Sequence, residues 1–392
     1  MTVWDALIGQ GRAVRLLQDA VVDAGAVLRG EPGPAMTHAW LVTGPPGSGR
    51  SNAALAFAAA LQCDEGGCGF CHACETSLAG SHADVSVYQP QGTHSYLIGN
   101  MRDMVLEAAR MPSQGRWRVM IIEEADRFGL QGSDYRSAGA LLKAIEEPTP
   151  RTVWVLSAPT SADTPSTIRS RCRQVALVSP SARAVADLLV RDDGIDPAMA
   201  AFAASASQGH VGRARGLARD EASRVRRAEV LGVPLQTATV GGCLAAAANL
   251  VEAAQEDAEA VSGPHEEAEL EALQQALGVV PGGRRPVGTA GALKELEDSQ
   301  KRRRTRALRD SLDRAFLDLV AFYRDVLALQ AEADVPLVNV DRRRDLEAVA
   351  AGSTPEQTLR RIDAVMAARL AIEQNVAPLL AVEALTLSLR AA

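Results

Sequence analysis

Eight consecutive residues near the start of the chain have the types and spacing to bind a polyphosphate. They read Gly44-Pro45-Pro46-Gly47-Ser48-Gly49-Arg50-Ser51 and lie between an apolar run and an alanine-rich segment. A strand, a glycine-rich turn and a helix in this order let backbone N–H groups surround phosphate oxygens at the helix N-terminus. The residues predicted to contact a nucleotide here are Gly44, Gly47, Ser48, Gly49, Arg50 and Ser51.

Arg50 departs from the usual pattern G-x-x-x-x-G-K-[ST], in which a lysine contacts the outer phosphates and the hydroxyl binds magnesium. A guanidinium is planar and bulkier than an ammonium group, and it binds as a fork. We therefore expect a loop poorly suited to hydrolysis, and binding of ATP or ADP with magnesium stays open. The flanking strand and helix disfavour the alternative of a glycine turn without a ligand.

Four of the six cysteines form a C-x4-C-x2-C-x2-C array at Cys63, Cys68, Cys71 and Cys74. Four thiolates this close can form a tetrahedral shell around zinc, and a shell made only of protein ligands is typical of a structural site. In a reducing cytosol such clustering favours metal over disulfides. An iron–sulfur cluster and free thiols are the alternatives.

Two carboxylates follow the apolar run at 117–122, namely Glu123 and Glu124. A buried parallel strand that ends in acids beside a phosphate loop is where magnesium and an attacking water are bound in P-loop ATPases. The usual order is aspartate then glutamate, and Glu123 replaces the aspartate. Ser157 ends the next apolar run, where it could hydrogen-bond a phosphate or simply terminate a strand.

The composition predicts an α/β fold with a large core. The chain has 392 residues, of which 47% are hydrophobic, 23% charged and only 4% aromatic, so small aliphatic side chains must fill the interior. The formal net charge of −7 argues against a surface that is basic throughout and binds nucleic acid. No basic and apolar leader follows Met1 and no apolar run could cross a bilayer, so we expect a cytoplasmic protein without a membrane partner.

Hydrophobic periodicity predicts strands alternating with helices up to about residue 178, and helices beyond it. The predicted helices in the first part are 11–28, 52–62, 98–111 and 138–147, and the predicted strands are 39–42, 84–88, 117–122 and 153–157. Further on, an acidic stretch at 252–271, a glycine-rich stretch at 278–291 and a basic run at 301–304 suggest two charged helices with a flexible joint. The basic run could contact DNA, although pairing with the acidic stretch or solvation is the simpler interpretation.

These motifs together resemble the AAA+ clamp-loader family of the bacterial DNA polymerase III holoenzyme. The resemblance rests on four features in order: residues 44–51, the cysteine array, the sequence Leu141-Leu142-Lys143-Ala144-Ile145-Glu146-Glu147-Pro148, and Ser170-Arg171-Cys172. The last triplet is similar to the family's serine-arginine-cysteine motif. The resemblance covers about the first 215 residues by motif, and the rest only by helical character.

The resemblance implies a RecA-like AAA+ P-loop domain at 1–178 with an inserted zinc module at 63–74. A helical lid at 179–232 and an all-α collar at 233–392, with a charged segment expected to be flexible at 252–305, would follow. In this family the motif arginine projects into a neighbour's ATP site, so Arg171 is the expected catalytic residue, acting in trans. Arg50, Glu123 and Gly212, which stands where motor subunits carry a sensing arginine, imply a stator without ATP turnover of its own.

The implied partners are gamma/tau ATPase and delta subunits in a hetero-pentamer, the sliding clamp, and primer–template DNA at replication forks. Three competing interpretations stay open. The first is an active clamp-loader ATPase similar to gamma/tau, which Arg50 and Glu123 disfavour. The second is a small-molecule P-loop kinase, which would leave the cysteine array unexplained. The third is a zinc-dependent nucleic-acid-binding module, which lacks an adjacent basic or aromatic surface.

Overall fold

The structure is a computed structural model that describes residues 2–90, 96, 98–127, 135–277 and 289–391. The chain forms two compact units, Met1–Arg219 and Asp220–Ala392. None of the described helices is long and apolar enough to cross a bilayer. The predicted division into three domains, with boundaries after residues 178 and 232, stays a prediction.

A five-stranded parallel sheet forms the centre of the first unit, in the order β2-β3-β4-β1-β5. Its strands are β1 (Ala39–Thr43), β2 (Val85–Tyr88), β3 (Arg118–Ile122), β4 (Thr152–Ala158) and β5 (Arg173–Ala176). Because all strands are parallel, their carboxyl ends lie at one edge of the sheet. The phosphate loop after β1 and the acids after β3 are therefore brought to the same edge, as the sequence predicted.

Helices cover both faces of this sheet because side chains alternate along each strand. The helices are α1 (Gly11–Leu28), α2 (Arg50–Gln62), α3 (His72–Leu78), α4 (Ile98–Ala108), α5 (Tyr135–Glu146) and α6 (Ser166–Arg169). On β1, Trp40 and Val42 pack with α1, α2 and the cysteine segment, whereas Leu41 faces the core formed with α4 and α5. This confirms the predicted α/β class.

One buried carboxylate fixes the connection before β3. Asp84 accepts hydrogen bonds from the backbone N–H groups of residues 113–115, at 2.6–2.7 Å, and from the Arg118 guanidinium at 2.8 Å. Burial by itself would raise the pKa of Asp84, but these N–H donors and the Ser113 hydroxyl lower it to about 2. Arg118 is also buried, so the charge of each partner compensates that of the other.

Three short helices complete the first unit: α7 (Ala182–Asp193), α8 (Pro197–Ser207) and α9 (Val211–Arg219). They enclose their own apolar core, in which Val185 and Leu189 pack against alanines of α8 and Leu217 of α9. Small side chains allow the three helices to approach closely. The predicted helical character of this region is confirmed.

The second unit is entirely helical in its described residues. It consists of α10 (Glu221–Gln236), α11 (Val240–Ala276), α12 (Thr289–Gln330), α13 (Arg343–Ala351), α14 (Pro355–Glu373) and α15 (Pro378–Ala391). Phe316, Phe322 and Tyr323 of α12 fill the core between the other helices. The predicted all-α character of the C-terminal region is thus confirmed.

The charged region consists of the distal halves of α11 and α12. Arg304 lies 2.5 Å from Glu266, and Arg303 contacts Glu269, so the basic run pairs with the acidic stretch. The glycine-rich joint predicted between them falls mostly at 278–288, which lies outside the described residues. This pairing is the simpler of the two interpretations given for the basic run.

Candidate functional site

The phosphate loop has the backbone conformation that its glycines allow. Gly47 and Gly49 have φ angles of 81° and 88°, in the left-handed region that favours glycine. Gly49 precedes the first residue of α2, and the Gly44 N–H donates to Pro159 O at 3.1 Å. The predicted strand, turn and helix are therefore present at these positions.

His210, at the start of α9, lies directly against this loop. A Cβ atom on Gly47 would come within 2.6 Å of the Cβ and Cγ atoms of His210. The His210 Nδ1 atom in turn accepts a hydrogen bond from Arg213 N at 3.2 Å. Gly47 is therefore required twice, for its φ angle and for the close approach of His210.

Arg50 points back into its own loop. Its Nη1 atom donates a hydrogen bond to the carbonyl oxygen of Gly44. Burial lowers the pKa of Arg50, while Asp126, Glu124 and Glu123, in decreasing order, oppose that change. The cation at the lysine position of the motif is thus bonded to the loop backbone and lies in the field of three carboxylates.

The predicted acids follow β3 as expected. Glu123 accepts a hydrogen bond from Gln89 Nε2 at 2.9 Å. Glu124 has a φ angle of 53°, unusual for a residue other than glycine, and its Oε2 atom lies 2.7 Å from Arg127 Nε. Burial raises the pKa of the neighbouring Asp126. The acids that the sequence assigned to magnesium therefore already have protein partners.

The predicted hydroxyl groups differ in their surroundings. Ser48 Oγ is buried and has no hydrogen-bond partner among the described residues, whereas Ser51 is exposed. Ser157 is buried in β4. It pairs with Val42 of β1, and Val42 precedes Gly44 by two residues. The unpartnered Ser48 hydroxyl is the feature of the loop that best fits a phosphate oxygen.

The four cysteines of the array lie together. Their Sγ atoms are all within 4.8 Å of one another, and Cys63 Sγ is 3.7 Å from Cys68 Sγ and 3.8 Å from Cys71 Sγ. These are not disulfide distances. Four sulfurs at about 2.3 Å from a tetrahedral zinc ion would be about 3.8 Å apart. The residues therefore fit a metal ion such as zinc.

The cysteine segment also binds the N-terminal residues of the chain. Val3 N donates to Gly67 O at 3.1 Å, and Trp4 Nε1 donates to Gly66 O at 3.2 Å. Gly67 has a φ angle of 109°, and a Cβ atom there would come within 2.6 Å of Val3 Cγ2. The turn between Cys63 and Cys68 is thus the contact surface for residues 3–4.

Arg171 lies beyond the end of α6 and is partly exposed. Its Nη1 atom donates to Thr167 O at 2.7 Å and to Ser170 Oγ at 3.3 Å, and its Nε atom donates to Glu146 Oε1 at 2.5 Å. Cys172, the next residue, packs against the core, and burial raises its pKa to about 12. The motif thus combines an accessible arginine with a half-buried cysteine that packs against the core.

Sequence reasoning missed three partners of the predicted residues. These are Asp126 near Arg50, His210 on Gly47, and Glu146 on Arg171. Glu146 was noted only as part of a motif, and no local signal linked it to Arg171, 25 positions away. Such contacts depend on the tertiary fold, so spacing along the chain could not have identified them.

Comparisons with known proteins agree with the motifs. Residues 33–181 match the family model described as DNA polymerase III, delta subunit. A delta-prime subunit of DNA polymerase III from Pseudomonas aeruginosa is 34% identical over 168 residues, 42% of this chain and 50% of the relative. The corresponding Bacillus subtilis protein is 30% identical over 199 residues, 50% of this chain and 58% of the relative. This chain thus spans about half the length of the curated relatives it matches.

A tau subunit and a solved structure are also similar. The tau subunit of DNA polymerase III from Bacillus subtilis is 27% identical over 44% of this chain and 28% of its own length. A gamma subunit-related protein from Thermotoga maritima overlaps 95% of this chain and 99% of its own, with 14% identity and a TM-score of 0.42. A likeness of that size carries no conclusion about activity. Residues 33–181 are thus similar to the DNA polymerase III delta family, and the resemblance predicted from the motifs is confirmed for this part of the chain.

Proposed function

We propose that this chain is a stator subunit of a DNA polymerase III clamp loader. It assembles with gamma/tau ATPase and delta subunits in a hetero-pentamer. It helps to open the sliding clamp and to load it on primer–template DNA. The observation that carries this proposal is the contrast between its two arginines: Arg50 is turned back into its own loop, and Arg171 is presented at the surface.

The position of Arg50 supports the proposal that the chain does not hydrolyse ATP at its own loop. A P-loop cation stabilises charge on the transferred phosphoryl group only if it faces that group. Here the guanidinium is hydrogen-bonded to Gly44 O and lies in the field of three carboxylates. The cation at the lysine position of this motif is therefore bonded to its own loop and not directed toward the outer phosphates.

Arg171 supports a role in trans. Its side chain is 37% exposed, and its Nη1 atom is anchored by the carbonyl oxygen of Thr167 and the hydroxyl oxygen of Ser170. An arginine supplied to the γ-phosphate of a neighbour stabilises charge that develops in the transition state. A partly exposed, pre-positioned guanidinium is what this chemistry requires.

The test is the clamp- and DNA-stimulated ATP turnover of a loader reconstituted with this chain. Arg171→Ala should reduce turnover strongly while assembly stays intact. Arg171→Lys should also reduce it, since an ammonium group cannot replace the fork of a guanidinium. Arg191→Ala is the matched control, because Arg191 is an exposed arginine that forms its ion pair with the adjacent Asp192 in the described part of the chain. Equal turnover in all four loaders would overturn the proposal.

We further propose that the metal is zinc with a structural role. Four cysteine ligands leave no open coordination position for a substrate or a water. The cluster lies between α2 and α3 and fixes the turn that contacts residues 3–4. Elemental analysis should give one zinc per chain without the visible absorption of an iron–sulfur cluster, and iron with acid-labile sulfide would contradict the assignment.

The second candidate is an active ATPase subunit, because a tau subunit is among the relatives. It predicts that the isolated chain hydrolyses ATP and that Arg50→Ala abolishes this activity. The Arg50 contacts favour the stator. Turnover by the purified chain, lost on Arg50 substitution, would favour the motor.

A further inference from the structure

The guanidinium of Arg171 is bound along one edge by a carboxylate of the same chain. Both Nε and Nη2 of Arg171 contact Oε1 of Glu146, the last residue of α5. The opposite nitrogen, Nη1, donates to Thr167 O and Ser170 Oγ. The Nε and Nη2 edge is one that binds phosphate with two parallel hydrogen bonds. Glu146 therefore occupies an edge that a phosphate would use.

The contact between these two side chains is short but contributes little free energy. Arg171 is 37% exposed and Glu146 is 45% exposed, so water screens the pair. Exposed ion pairs contribute about 0–1 kcal/mol. Glu146 also ends its helix, where a negative charge is opposed by the helix dipole. A ligand with more negative charge than one carboxylate can therefore displace Glu146.

We propose that Glu146 is a latch for Arg171. In the free chain the carboxylate engages the guanidinium, and in the assembled loader the polyphosphate of a neighbour's nucleotide replaces it on the same edge. The two anions exclude each other because they require the same donors and repel at short range. This inference rests on the proposed trans role of Arg171, and it adds a cost that the nucleotide must overcome.

The test measures the affinity of this chain for a gamma/tau-type ATPase subunit, with a magnesium-bound, non-hydrolysable ATP analogue and without nucleotide. We take the ratio of the dissociation constant without nucleotide to the dissociation constant with nucleotide. A larger ratio means that the nucleotide contributes more to association. Glu146→Ala removes the competitor and should increase this ratio by up to about fivefold, the factor that corresponds to the upper value for an exposed ion pair. Glu146→Gln should change it in the same direction by less.

Three controls separate the latch from the proposed function. Glu147→Ala removes the same charge from the next, exposed residue and should leave the ratio unchanged. Arg171→Ala should reduce the ratio to about one, and the Glu146→Ala, Arg171→Ala double variant should match it. Nucleotide-free affinity should be equal in all variants, which detects misfolding.

The outcomes are distinct. If Arg171→Ala leaves the ratio unchanged, the trans role itself fails. If Arg171→Ala lowers the ratio but Glu146→Ala leaves it unchanged, the latch fails and the proposed function stands. If Glu146→Ala lowers the ratio, Glu146 positions the arginine for the phosphate instead of competing with it, and the latch is overturned.

Discussion

Arg50 donates a hydrogen bond to the carbonyl oxygen of Gly44, so the cation of the phosphate loop is bonded to the loop itself. Asp126, Glu124 and Glu123 lie close enough to oppose the lowering of its pKa by burial. A guanidinium bound in this way keeps its charge but directs one of its N–H donors at the loop backbone. The consequence is a glycine loop with the backbone expected of a phosphate loop, in which Arg50 is bonded to the loop itself.

The first prediction concerns Arg50. Replacing it with alanine should leave the clamp- and DNA-stimulated turnover of a reconstituted loader within about twofold of wild type, because a stator contributes no chemistry from its own loop. ATP hydrolysis by the purified chain should equal the buffer background. A loss of loader turnover comparable to that of Arg171→Ala would instead place catalysis in this loop.

The second prediction uses the two glycines of the loop. Gly49→Ala introduces a side chain at a φ angle of 88° with no atom within 4 Å, and should cost about 1 kcal/mol of unfolding free energy. Gly47→Ala has a similar φ penalty and also brings the new Cβ atom within 2.6 Å of His210. It should therefore lower the free energy of unfolding at least twice as much. Denaturant unfolding of both variants measures the difference. Equal costs would mean that His210 does not pack against Gly47.

The third prediction concerns Asp84 and pH. Its pKa is lowered to about 2 from 3.8, so it stabilises the fold above pH 3.8 and loses this contribution as the pH falls through 2. The contribution is about 2 kcal/mol. The difference in unfolding free energy between wild type and Asp84→Asn should therefore be large near neutral pH and shrink by about that amount in strong acid.

Near neutral pH the same variant should be strongly destabilised, because the buried Arg118 loses its compensating charge. Removing one partner of a buried ion pair costs about 3–5 kcal/mol. Urea unfolding at several pH values measures both effects. A difference between wild type and variant that stays constant with pH would contradict the lowered pKa.

The fourth prediction concerns the metal. Removal of zinc by a chelator, or Cys74→Ser, should lower the free energy of unfolding. The loss should be on the order of 4 kcal/mol relative to wild type at a free zinc concentration about 1,000-fold above the dissociation constant. It should also free the indole of Trp4, which donates to Gly66 O in the metal-binding turn. Fluorescence from a chain retaining only that tryptophan would report the release. Cys243→Ser is the matched control, since Cys243 lies in the second unit, outside the array.

Much of the fold was predictable because its signals are local. The helix Gly11–Leu28 begins and ends where its apolar spacing predicted, and the strand before the phosphate loop extends only one residue further than expected. The glycines of the loop and the spacing of the cysteines specify their sites within a few residues of sequence. The exposed arginine of the Ser170–Cys172 motif could be identified only through resemblance to a family.

The contacts that give these sites their chemistry were not predictable. Arg50 could face a phosphate or its own loop, and only side-chain packing decides between them. His210 reaches Gly47, and Glu146 reaches Arg171, across long stretches of chain, so no periodicity encodes either contact. Sequence therefore identifies the participating residues, and tertiary structure determines which partners they take.

The most direct test of the trans role is ATP turnover in a loader that carries Arg171→Ala. An arginine supplied in trans contributes about 10³–10⁵-fold to the rate at the site it completes. Turnover at the site adjacent to this chain should therefore be essentially abolished, while the subunits still assemble and Arg191→Ala retains wild-type turnover. Wild-type turnover with Arg171→Ala, in a loader of normal composition, would contradict the proposal that this chain completes a neighbour's active site.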